Sequence, residues 1–259
     1  MIPLWDTQKS LARPVVVPAL IVVNLALFVY EFTLGTELQG LLNEYGLVPA
    51  AYFRMGKEGL ALSPRRYLPI LTSMFLHGGW LHVIFNMLFL WVFGDNVEDR
   101  LGRVRFLAFY LLCGVAGALL QVYLNPGSER PMVGASGAIA GVMGGYLLLY
   151  PRSKVVAVIP FLYFFQVIAL PAFFFLVFWF LIQFFSGTVA SLSGAQEAAG
   201  TAWWAHIGGF AGGVSLVKLL ENRQRRLAEA EASRQQRRYE GDEYGATPDE
   251  TVGDEPRWF

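Results

Sequence analysis

Two side chains able to act as nucleophile and base lie inside apolar stretches of this 259-residue chain: Ser136 in Gly134-Ala135-Ser136-Gly137 and His206 in Ala205-His206-Ile207-Gly208-Gly209. An ionisable group is expensive in lipid, so an intramembrane His beside an intramembrane Ser is read first as a functional pair. A serine whose proton passes to an imidazole attacks carbonyl carbon, and the chemistry is acyl transfer. A second pair, His82 and Asn86, is spaced by four residues, which puts both side chains on one face of a helix. Donors directed into a dry bundle need a partner or a developing charge, and a tetrahedral oxyanion is such a charge.

Composition sets the medium in which these residues must work. Hydrophobic residues make up 55% of the chain and charged residues 15%, and the apolar content falls in long blocks. This is the pattern of a polytopic membrane protein. Six spans are expected, from Val15 to Leu34, Trp80 to Val97, Phe106 to Leu124, Ser136 to Tyr150, Pro171 to Phe185 and Trp203 to Leu220. The first exceeds a signal-peptide core of roughly 7–15 residues and reads as a retained span. Cys113, the single cysteine, can form no internal disulfide and reads as a packing residue. The organisation expected is a cytoplasmic N-terminal segment (1–14), a six-span membrane domain (15–220), and a charged cytoplasmic tail (221–259), partly disordered.

Lys and Arg give the orientation. With both termini cytoplasmic, fifteen of the 20 cationic residues fall on the cytoplasmic side; the other five are Arg54, Lys57, Arg65, Arg66 and Arg130. A bacterial-type inner (plasma) membrane fits that asymmetry. The long first loop carries amphipathic stretches (Leu41 to Phe53, Tyr67 to Leu76) and should fold on or in the outer leaflet. The apolar segment Lys154 to Leu170 is bracketed by Pro160 and Pro171, so the fifth span is begun at Pro171. The loop from Gly187 to Ala202 has no Lys or Arg and reads as external.

The fourth span is short. About 15 residues make about 22 Å of helix against a hydrocarbon core of about 30 Å. With Arg152 and Lys154 fixing its cytoplasmic end, Ser136 begins the helix below the outer surface, and residues 125–135 must dip into the membrane as irregular backbone. Such backbone is tolerated where protein buries it or where it lines a water-filled cavity. Gly137, Gly141 and Gly145 recur every four residues, and Gly209 and Gly213 share a face with His206. Small faces let membrane helices approach closely, so the fourth and sixth spans can bring Ser136 to His206.

At these residues the chain resembles the rhomboid intramembrane serine proteases. The matching motifs are His82-Val83-Ile84-Phe85-Asn86, Glu98-Asp99-Arg100, Gly134-Ala135-Ser136-Gly137 and Ala205-His206 followed by Gly209 and Gly213, in family order on the second, fourth and sixth spans. The resemblance implies an all-α, six-transmembrane-helix rhomboid-like bundle with a membrane-embedded first loop and a short central fourth helix. It implies a Ser136–His206 dyad, oxyanion stabilisation by His82 and Asn86, and packing through Gly134, Gly137, Gly141, Gly209 and Gly213. Glu98 and Arg100 are implied to be structural. Substrates would be transmembrane proteins cut near their outer ends, with no metal, no cofactor and no nucleic acid involved. Some members carry a Tyr four residues after the nucleophile, beneath the catalytic His; here that position is Ala140, so another residue must support His206.

Other classes are weighed against this one. A catalytically silent membrane chaperone or adaptor on the same scaffold is expected to lose Ser136 or His206, and both are present. A haem protein using His82 and His206 as axial ligands leaves the Ser136 motif without a purpose. A transporter should show repeat symmetry and intramembrane charges.

Overall fold

The computed structural model describes residues 1–54, 64–161, 164–193, 202–228 and 230–231. Two compact units divide the chain, Met1–Asn222 and Arg223–Phe259. Most of the charged tail and residues 194–201, in the loop expected to be external, lie outside the described residues.

The first unit is a helical bundle. In chain order it holds strand β1 (Ile2–Asp6), helices α1 (Val16–Thr33), α2 (Leu38–Tyr45), α3 (Pro49–Arg54), α4 (Pro64–Thr72), α5 (Trp80–Leu101), α6 (Arg103–Leu124) and α7 (Ser136–Leu149), strands β2 (Lys154–Phe161) and β3 (Phe164–Pro171), then α8 (Ala172–Ser193) and α9 (Trp203–Leu220). Helices α1, α5, α6 and α8 are long and apolar enough to cross a membrane, and α7 is a shorter apolar helix. Helix α7 is the centre of the bundle: residues 137–146 are all buried, and Phe93, Tyr110, Met143, Tyr146 and Phe175 belong to the core around it.

The Glu98-Asp99-Arg100 motif ties three parts of the bundle together. The Glu98 carboxylate accepts the backbone N–H groups of Val15 (2.8 Å), Val16 (3.0 Å) and Val17 (2.8 Å), which are donors at the start of α1 with no partner inside that helix. Asp99 accepts the Leu11 N–H at 2.7 Å. Arg100 pairs with Glu221 at 2.9 Å just beyond α9, and its guanidinium lies over the Tyr150 ring. Gly102, at φ +83°, is the single residue between α5 and α6, a backbone conformation that favours glycine.

A three-stranded antiparallel sheet, ordered β1-β2-β3, adds to the helices. The reading from sequence rightly kept a helix out of 154–170 but did not foresee strands there or in the N-terminal segment. Run length explains the ambiguity, since a short apolar run has no period that separates strand from buried helix. Val155 and Ala157 face the core, and Pro160 is accommodated near the end of β2. Asp6, at the end of β1, accepts hydrogen bonds from the Tyr146 hydroxyl and from Asn96 Nδ2 (2.9 Å), which docks the strand against α7 and α5.

Helix α8 runs two turns beyond the expected Phe185, so residues 187–193 are helical rather than loop. Their hydroxyls turn back onto the helix: Thr188 donates to the Phe184 carbonyl, Ser191 to Gly187 and Ser193 to Val189, each at 2.8 Å. Small polar residues with their donors satisfied in this way no longer end a helix.

Two predictions follow from these polar anchors. Glu98→Ala strips three donors of their acceptor and should cost on the order of 1–3 kcal/mol, read as a lower unfolding temperature in detergent, with Glu98→Gln intermediate. Burial, helped by the nearby Asp95 charge and opposed by the Tyr146 and Asn96 hydrogen bonds, raises the Asp6 carboxyl from 3.8 to about 6. The folded state therefore holds a proton that the unfolded chain releases between those values, so the Asp6 contribution is full at low pH and is lost as pH rises through about 6. Thermal unfolding from pH 4 to 7 should show wild type losing stability relative to Asp6→Asn as pH rises.

Candidate active site

Ser136 opens α7, and the irregular segment before it is held by the first loop. Leu47 and Met132 exchange backbone hydrogen bonds (3.0 and 2.8 Å), Ala50 N–H donates to the Ser128 carbonyl (2.9 Å), and Gly134 N–H donates to the Ser73 carbonyl (2.8 Å). The first loop thus satisfies the backbone groups of that irregular segment and acts as the clamp that seats the serine.

Gly134 lies at φ +129°, and a Cβ built there would come within 2.7 Å of His82 Nε2 and 3.6 Å of Ser136 Oγ. His82 and Ser136 flank that one glycine, which explains why no side chain is admitted. Behind His82 stands His77, buried, its ring centroid 5.3 Å away and its backbone N–H donated to Glu31 at 3.1 Å. One turn along α5, Asn86 is buried, and its Nδ2 has no hydrogen-bond partner among the described residues.

Across the site, Ser136 Oγ and His206 Nε2 are 2.8 Å apart. They meet because α7 and α9 pack backbone on backbone. A Cβ on Gly209 would overlap the Gly137 carbonyl, one on Gly213 the Gly141 carbonyl, and one on Gly144 the Phe210 carbonyl. Gly145 continues the same face, and a Cβ there would meet Phe109 of α6 and Val217 of α9. Cys113 fills the space over Gly141, a packing role.

His206 has a partner that reading the sequence missed. Its Nδ1 lies 2.7 Å from Gln183 Oε1 on α8, and Trp179, one turn earlier, sets its ring 5.8 Å from the imidazole at 40°. Gln183 is a buried amide in an otherwise aliphatic and aromatic run from Ala172 to Phe185. That isolated polar residue, four positions from Trp179, was the signal available in the sequence. Ser136, His206, His82, Asn86 and Gln183 all line one open cavity of about 910 Å³, which reaches between Phe89 of α5 and Trp179 of α8.

A helical bundle with several apolar helices, carrying a Ser–His pair that lines an open cavity, defines a multi-pass membrane protein with a hydrolase-like constellation. Residues 64–223 match the Rhomboid domain, and the chain belongs to the rhomboid family. It is similar to the rhomboid protease GluP of Bacillus subtilis (38% identical over 91 residues, 35% of this chain and 17% of that protein). It also resembles the mitochondrial rhomboid protein 1 of Saccharomyces cerevisiae (36% over 93 residues, 34% and 27%) and RHOMBOID-like protein 1 of Arabidopsis thaliana (29% over 154 residues, 52% and 39%). The chain thus spans less than half the length of each of these relatives.

The glycine contacts can be tested directly. Gly213→Val, two turns from His206, must push α9 away from Gly141 and should cost about 1–3 kcal/mol through overpacking. A displacement of about 1 Å at a reacting pair can cost about 100-fold in rate, so activity should fall more steeply than stability. Gly40→Ala, in α2, meets nothing within 4 Å and should leave both unchanged.

Proposed function

We propose that this protein is an intramembrane serine endopeptidase that cuts transmembrane protein substrates near the outer face of the membrane. The observation that carries the reading is the 2.8 Å contact between Ser136 Oγ and His206 Nε2, at the floor of a cavity whose wall holds a buried amide donor without a partner among the described residues. In this reading α1, α5, α6, α7, α8 and α9 are the six crossings, and both termini are cytoplasmic. The cationic asymmetry supports that orientation, and a bacterial-type inner membrane is the setting proposed.

The chemistry needs no group from outside the chain except water. Neutral His206 takes the Ser136 proton at Nε2 as Oγ attacks the substrate carbonyl carbon. The oxyanion forms at the N-terminus of α7, where backbone N–H groups and the helix dipole favour negative charge, with His82 and Asn86 Nδ2 as side-chain donors. His206 then gives its proton to the leaving amine, and the acyl-enzyme is released by water from the cavity. Because helical carbonyls are bonded and shielded, the substrate must unwind at the scissile bond, which favours small or helix-breaking residues there. Entry is proposed between α5 and α8, where the cavity reaches the aromatic faces of Phe89 and Trp179. A catalytically silent adaptor reading has less support, since it gives the aligned Ser136–His206 pair no task.

In proteoliposomes containing a single-pass transmembrane substrate, wild type should cleave within the substrate's outer third, while Ser136→Ala and His206→Ala should not. Asn86→Ala should lower kcat by about 100-fold to 1000-fold, the typical loss of one oxyanion donor. Equal cleavage by wild type and Ser136→Ala would refute the assignment.

A further inference from the structure

The dyad reading leaves the His206 ring without an orienting group, and Ala140 offers none. We infer that Gln183 is the positioning residue of this site: a neutral third member that fixes the tautomer of His206 from α8. The inference rests on the proposed Ser136–His206 dyad and deepens it.

The geometry forms a chain of three. Gln183 Oε1 stands 2.7 Å from His206 Nδ1, and His206 Nε2 stands 2.8 Å from Ser136 Oγ. An amide oxygen only accepts, so Nδ1 must carry the hydrogen. Nε2 is then left with its lone pair toward Ser136, whose hydroxyl can donate only in that arrangement. A neutral imidazole has two tautomers, and a base with its lone pair on the wrong nitrogen cannot take the serine proton. Gln183 removes that choice.

An amide also suits the medium. A carboxylate at this place would put a charge in an apolar helix, and no Asp or Glu occurs between Ala172 and Ser193. Gln183 accepts the same hydrogen bond while remaining neutral, and it is 8% exposed, so little water competes for it. When His206 becomes imidazolium, the Nδ1–H bond to Oε1 persists, and no second proton moves. Trp179 on the same helix face holds the ring from the side.

Location gives the contact a further consequence. Ser136 and His206 sit on helices locked together by glycine-carbonyl contacts, whereas Gln183 comes from α8, which meets α9 through aromatic side chains such as Phe180 on Phe210. The orienting bond is therefore made only when α8 is seated. Any substrate that enters between α5 and α8 must leave α8 able to re-form it, so seating of α8 and readiness of the base are one event.

The test is nitrogen-15 NMR of His-labelled full-length protein in detergent, with His206 assigned by comparison with His206→Ala. Wild type should show neutral His206 protonated at Nδ1. Gln183→Met, which keeps length and volume but no acceptor, should shift the tautomer toward Nε2–H and lower kcat for a transmembrane substrate by about 10-fold to 100-fold, with KM unchanged. Wild type protonated at Nε2, or a folded Gln183→Met with the wild-type tautomer and kcat, would overturn the inference. The tautomer measurement on wild type needs neither proteolysis nor a folded variant. Absence of cleavage would count against the protease reading and leave the Gln183 assignment to be decided by the spectrum.

Discussion

The contact between the α7 and α9 backbones is the constraint on which the site depends. Ser136 and His206 are 70 residues apart in sequence, and neither side chain is long. They can share a hydrogen bond only if their helices touch with nothing between them. Gly209 against the Gly137 carbonyl and Gly213 against the Gly141 carbonyl permit that approach. In lipid there is no hydrophobic force to press helices together, so fit of this kind and the contacts it allows supply the association. The rest of the bundle serves to hold that pair still: α6 packs against it through Cys113 and Gly117, and Glu98 pins α1 to the end of α5.

The start of α7 creates a second demand. The chain reaches Ser136 through irregular backbone whose N–H and C=O groups need partners. The first loop meets that demand with carbonyls and N–H groups from Leu47, Ala50 and Ser73. An open cavity lies beside Ser136, so the half-buried Ser136–His206 pair lines a space open to the surroundings.

Much of this was legible in the sequence, for physical reasons that can be named. Trp203–Leu220 coincides with an expected span, and Ser136–Leu149 with another to within a residue, because Gly, Pro and charged residues bracket apolar runs at those places. The Gly137/Gly141 and Gly209/Gly213 faces were readable from a spacing of four. The sheet was not, since residues 2–6 and 154–161 are too short to carry a period and pair across about 150 positions of sequence. Gln183 was missed because a lone amide has no spacing partner of its own kind. Its meaning appears only once α8 is placed beside α9. Asp6 was hidden for the same reason, its partner Tyr146 lying 140 residues away.

The central claim is that Ser136 is a nucleophile made reactive by His206. Its most direct test is covalent trapping: full-length protein in detergent is treated with a fluorophosphonate, and the adduct is located by mass spectrometry. The account predicts one adduct per molecule, on Ser136, formed at least about 100-fold more slowly in His206→Ala. An adduct that forms equally fast without His206, or no adduct on Ser136 in the wild-type protein, would contradict it.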